Sequence, residues 1–185
     1  DMLRTSQCDA YSSSVIAKWP NGTSILLHQN PNVRPLDYFF EGAGQGCTFV
    51  ITKSTFQSVK AHIDRNRAEA QQLFFHDWMI YAICRASELR WFFDAQPSMI
   101  YRQHGLNEIG AKGSLSSIRR RLPLIRQGWY RTQVLGVIAL CSTLPTPEPA
   151  AASILRLEPN ARAFLKQKVP LMWTTLTQSR RSLKE

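Results

Sequence analysis

Two short apolar runs, Ser13 to Ala17 and Ser24 to His28, are separated by Pro20-Asn21-Gly22. Asn-Gly adopts positive backbone φ values at little cost, and between two apolar runs it is the strongest short-range signal for an antiparallel hairpin. The chain is therefore committed early to a sheet. A Pro/Asn loop (Asn30 to Pro35) and a glycine loop, Gly42-Ala43-Gly44-Gln45-Gly46, come next. The apolar run Cys47 to Ile51 then reads as a buried strand. Trp91-Phe92-Phe93 and Met99-Ile100-Tyr101 read as two more strands, split by a turn at Gln96-Pro97.

Helices are expected between these strands. Ser54 and Gln57 stand at capping-box spacing, with Phe56, Val59 and Ile63 on one face. Trp78 to Ala86 is almost continuously apolar and too long for a typical strand, which makes it a buried helix. The polar stretch Leu3 to Asp9 is helix-like, so the chain reads as a piece of something longer. Beyond Gly113 the texture changes. Ile118, Leu122 and Ile125 share a helical face, Arg119, Arg120, Arg121 and Arg126 lie mostly elsewhere, and Pro123 should kink that helix. Val134 to Cys141 is apolar but shorter than the roughly 20 residues that span a bilayer. Pro145, Pro147 and Pro149 form a break, and further helices are expected from about 159 to 169 and from 171 onward. Strands with interleaved helices, then helices alone, give an α/β piece (1–115) followed by an α-helical tail (116–185).

A chain of 185 residues can bury one core. Its net charge of +10 is uneven: residues 1–115 hold 11 Lys/Arg against 10 Asp/Glu, residues 116–185 hold 12 against 3. A basic block of this kind binds anionic lipid or nucleic acid, or keeps a surface soluble. The four cysteines form no CxxC pair; Cys47 and Cys84 sit in apolar runs, where reduced, buried thiols are the common state. Zinc and a disulfide framework are not expected. No charged-then-apolar leader is visible, and a reducing cytoplasm fits best.

The chemistry centres on His76-Asp77-Trp78. A carboxylate at the start of an apolar helix is stabilised as the anion by the helix N-terminus, which suits it to act as a general base. From the tripeptide alone, the commoner reading is a helix cap with Trp78 as a core anchor. Glycines in the 42–46 loop allow close backbone approach to a ligand, although a plain tight loop uses them equally. A strand rather than a helix is expected after the loop, so it is not a phosphate-binding fingerprint. His104, after the run Ile100-Tyr101, is placed to ligate a divalent metal or contact a diphosphate, and Arg102 to pair with phosphate. A surface histidine is the commoner reading of His104. His28 and His62 show no partner and read as structural or solvated.

The order and spacing of Glu41-Gly42-Ala43-Gly44-Gln45-Gly46-Cys47-Thr48-Phe49-Val50, His76-Asp77-Trp78, Phe93-Asp94 and Pro97-Ser98-Met99-Ile100-Tyr101-Arg102-Gln103-His104-Gly105-Leu106-Asn107 resembles family 2 glycosyltransferases, in particular the bacterial rhamnosyltransferase-like branch. Ala10 to Ser14 through Asn21-Gly22 resembles the segment after that family's metal-binding acidic motif. The likeness covers about residues 1–113. It implies a partial GT-A-type mixed sheet with flanking helices, a nucleotide-diphosphate sugar donor, Mg²⁺ or Mn²⁺, and inversion at the anomeric carbon in building a cell-surface polysaccharide. Asp77 would be the catalytic base, with His76 and Trp78 flanking the acceptor. Gly44, Gly46, Cys47 and Thr48 would line the sugar and acceptor side, with Arg102 among the substrate contacts and His104 near the metal.

The family's nucleotide-binding half, with its Asp-x-Asp-type motif, would precede residue 1, and no Asp-x-Asp occurs in this chain. The piece alone is therefore not expected to turn over. The acceptor is expected to be a glycan or a lipid-linked sugar. The location is the cytoplasm, with the basic tail either resting on the inner face of the membrane or packing as a solvated extension. A basic module that binds nucleic acid or membrane without catalysis is the alternative. Against nucleic acid, the tail carries no recognition motif and no regular series of stacking aromatics.

Overall fold

The computed structural model describes residues 7–103 and 128–144. Strand β1 (Ala10–Lys18) is the spine of a mixed sheet. Along one edge it pairs in parallel with β4 (Trp91–Arg102), from Ala10 opposite Trp91 to Lys18 opposite Arg102. Its other edge is shared by two antiparallel partners. β3 (Val50–Ile51) faces Ala10 and Tyr11, and β2 (Ser24–Leu27) faces Val15 to Lys18. The β1–β2 turn is closed by the expected residues: Gly22 has φ +86°, and Asn21 Oδ1 accepts from the Thr23 N–H at 3.1 Å.

Between β3 and β2, the buried Ser12-Ser13-Ser14 stretch of β1 has no strand beside it on that edge among the described residues. Buried backbone groups need partners. The Ser13 N–H donates to Thr48 Oγ1 (3.3 Å), and the Gln29 N–H donates to Ser14 Oγ (2.9 Å). The segments before β3 and after β2 are thereby drawn into one gap in the sheet.

Helix α1 spans Lys53–Arg65, α2 Arg67–Ala70, α3 His76–Ala86 and α4 Trp129–Ser142. From α3, Tyr81 meets Trp91 and Phe93 edge-on, with ring centroids 5.0 and 5.8 Å apart. Helix α4 buries Val134, Val137, Ile138 and Leu140 in the same core. At roughly 1.5–3 kcal/mol per buried aliphatic side chain, these four contribute on the order of 6–12 kcal/mol, as large as a domain's net stability. The apolar run at Val134 to Cys141 is thus part of the core that supports α3.

Several local expectations are corrected. Cys47 to Ile51 is not one strand: Gly46–Thr48 forms a 3-10 turn and only Val50 and Ile51 pair. Thr48 diverts the backbone, because both its N–H and its hydroxyl donate to the Gln45 carbonyl. Cys47 is exposed rather than buried, while Cys84 is buried as expected. The expected turn at Gln96-Pro97 is absorbed as a bulge in one continuous β4. There Asp94, Pro97 and Met99 face Ser13, Ser14 and Val15, and a proline without an N–H is tolerated.

Helix α1 is capped by Thr52, which accepts from the Thr55 N–H, and not by Ser54. The buried stripe is accordingly Thr55, Val59 and His62, with Phe56 exposed. His62 does have a partner: its Nε2 lies 3.0 Å from the Leu140 carbonyl at the end of α4. Gln7, at the end of the helix-like Leu3–Asp9 stretch, has φ +46° and is not helical. His104 and the helices expected over 118–126, 159–169 and beyond 171 lie outside the described residues.

Candidate active site

Helix α3 leads back into β4 through a short connection, so its N-terminus lies toward the carboxyl ends of the parallel pair β1/β4. Ligands bind at that end in α/β sheets. The cap position is Phe75, whose side chain makes no capping bond. His76 is the exposed first residue, and Asp77 sits within the first turn rather than at the cap. Asp77 Oδ1 accepts from the Trp78 N–H at 2.8 Å, which fixes the carboxylate at the positive end of the helix.

The glycine loop is folded against this turn. A Cβ on Gly46 would stand 2.8 Å from Asp77 Cβ, closer than real Cβ contacts allow. One on Gly44, where φ is +97°, would overlap the Gln29 amide at 1.9 Å. The loop therefore reaches Asp77 and Gln29 only because both residues lack side chains. Cys47 projects beside Asp77, with Sγ 3.5 Å from Met99 Sδ. Partial desolvation of its sulfur pushes the thiol above its ordinary pKa, and the Asp77 carboxylate adds to that shift.

Two of the expected contact residues are committed inward. Trp78 is 6% exposed, donates Nε1–H to the Tyr38 carbonyl (2.8 Å) and is covered by the stacked ring of Tyr130. Thr48 is buried, with its bonds to Ser13 and Gln45. Arg102 lies elsewhere: it shares a sheet row with Lys18, on the face opposite that of Met99. Gly44, Gly46, Cys47, His76 and Asp77 are thus brought together, while Arg102 is not. Among the described residues no three His, Cys, Asp or Glu side chains converge as metal ligands.

Three supports were not legible in the sequence. Gln133 of α4 takes the Phe74 N–H on Oε1 (2.7 Å) and donates to the Gln72 carbonyl (3.2 Å), clamping the entry to α3. The buried Asp37 binds Arg85 Nη1 and the Tyr81 hydroxyl, both at 3.0 Å, and anchors the 3-10 turn that offers Tyr38 to Trp78. Gln29 packs under Gly44. Each is far in sequence from the residues it holds, and polar residues of these types carry no periodic signal.

Among the described residues no helix is long and apolar enough to cross a membrane. No protein-family model matches the chain, and no solved structure matches it. The chain is 41% identical over 134 residues to the dTDP-rhamnosyl transferase RfbG of Shigella flexneri, a match that takes in 72% of this chain and 46% of that protein. The mixed sheet with flanking helices is consistent with a partial GT-A-like domain. The chain spans about half the length of the curated relative it matches, and it is similar to that rhamnosyl transferase over most of its own residues.

Proposed function

We propose that this chain is the acceptor-side portion of an inverting family 2 glycosyltransferase that moves rhamnose from a nucleotide-diphosphate donor to a glycan or lipid-linked acceptor. The observation that carries the reading is the seating of Gly46 on Asp77. Contact through Gly46, which has no side chain, leaves the carboxylate half-buried at a helix N-terminus, beside the carboxyl ends of two parallel strands.

In the reaction, the acceptor hydroxyl oxygen bonds to the anomeric carbon from the face opposite the diphosphate, and the bond to the diphosphate oxygen breaks. The hydroxyl proton passes to the Asp77 carboxylate, and the nucleoside diphosphate leaves with the bonding electrons. Gly44, Gly46, Cys47 and His76 border the acceptor, while Thr48 and Trp78 hold the loop and helix in place. The resemblance implies Mg²⁺ or Mn²⁺ to offset charge on the leaving diphosphate. Peripheral membrane contact through residues 116–185, on the cytoplasmic side, belongs to the same reading.

The test is Asp77→Asn in the protein carrying the full length of the relative. Transfer should fall by at least a hundredfold, the low end of what a positioned base contributes, while donor binding stays within about twofold. Unchanged transfer removes Asp77 from the role.

A further inference from the structure

The aromatic side chain nearest the candidate base in sequence, Trp78, is buried under Tyr130 and offers no ring face to a ligand. The exposed aromatic surface lies just ahead of it. Phe74 is 56% exposed and meets Phe75 and Trp129 edge-on, at centroid distances of 5.0 and 6.0 Å; Phe75 and Trp129 are themselves 5.4 Å apart and perpendicular. Edge-on packing holds the Phe74 ring upright. Its backbone is fixed as well, because its N–H is bound to the buried Gln133 side chain. A large apolar ring held in this way is organised before any ligand arrives, which lowers the ordering cost of binding.

Resting on the acceptor-side reading above, we infer that Phe74, braced by Phe75 and Trp129, is a sugar-stacking platform for the acceptor. It would take the C–H face of a pyranose one residue removed from the ring whose hydroxyl reacts. Phe74 and Asp77 are three positions apart, at most about 10 Å of chain, so the platform adjoins the base without overlapping it. The exposed His76 lies between them, with polar atoms for the hydroxyls at the ring edge. An apolar face beside polar groups is what a pyranose presents in return. A bare hydrocarbon would leave the His76 side unmatched.

Saturation-transfer NMR on the 185-residue chain tests this, with methyl α-rhamnopyranoside, methyl β-glucopyranoside and methyl N-acetyl-β-glucosaminide as probes. At least one glycoside should show saturation concentrated on the C–H protons of one ring face. The signal should be lost in Phe74→Ala, kept in Phe74→Trp and kept in Asp77→Asn. Phe74 is more than half exposed, so the alanine variant should melt as the parent does, which a thermal scan checks. No saturation with any of the three probes, or a signal that survives Phe74→Ala, overturns the proposal. Loss of the transfer reading through an active Asp77→Asn enzyme would leave the NMR result standing, so the two failures are separable.

Discussion

Replacing Asp37 with alanine should destabilise the chain more than any substitution on its surface. Asp37 is fully buried, and both oxygens are engaged: Oδ1 takes Arg85 Nη1–H at 3.0 Å, and Oδ2 takes the Tyr81 hydroxyl at 3.0 Å and the Arg34 N–H at 3.4 Å. Removing one partner of a buried pair costs about 3–5 kcal/mol, because the other charge stays buried without compensation. Here the lower end applies. The Arg85 side chain is 15% exposed, and it keeps the Tyr81 oxygen at 2.8 Å and the Arg34 carbonyl at 3.2 Å as acceptors. A loss of about 3 kcal/mol is on the order of a hundredfold in the folding equilibrium. With a urea m-value of about 2 kcal/mol/M for a chain of this size, the midpoint should fall by about 1.5 M without a change in slope. The paired variant Asp37→Leu with Arg85→Met should recover most of that loss, since it leaves no orphaned charge. A shift below about 0.5 M for Asp37→Ala, or a double variant no better than the single, would refute the reasoning.

Gly46→Ala must push a pair of Cβ atoms from 2.8 Å to at least about 3.4 Å apart, displacing Asp77 or the loop by about 0.6 Å. A 1 Å misplacement can cost a hundredfold in rate, so the full-length enzyme should lose about tenfold or more in kcat with donor KM little changed; an unaltered kcat counts against the seating. Alkylation of the native chain should reach Cys47 and spare Cys84 and Cys141, whose thiols burial pushes up to about 12. The Cys47 rate should climb beyond the ordinary thiol range as pH rises. Asp77→Asn should move that profile to lower pH, because losing the anion favours the thiolate; mass spectrometry of the labelled sites reads both effects. Gln133→Leu orphans the Phe74 N–H and should cost about 1–2 kcal/mol, or about 3–6 °C in Tm. A melt unchanged from the parent would show that the clamp is dispensable.

What the sequence determined by itself was local. The Asn21-Gly22 turn, the buried helix ending at Ala86 and the loop character of residues 42–46 follow from backbone preference and apolar spacing, which act over a few residues. Its errors were local competitions decided by distant partners. The run Cys47 to Ile51 has strand composition, but Thr48 serves the edge of β1 between β3 and β2, so the chain turns there instead. Of the expected helix face Phe56, Val59 and Ile63, Val59 is buried and Ile63 packs on the core, while Phe56 is exposed; Thr55 and His62 are buried instead, the histidine having a carbonyl to meet on α4.

Only the tertiary structure decided that α4 joins the core and clamps the entry to α3. It alone seats Gly46 on Asp77 and leaves Phe74 exposed. These facts depend on pairs of residues tens of positions apart. Periodicity carries no record of them, since it reports which side of an element is apolar and not what will cover it.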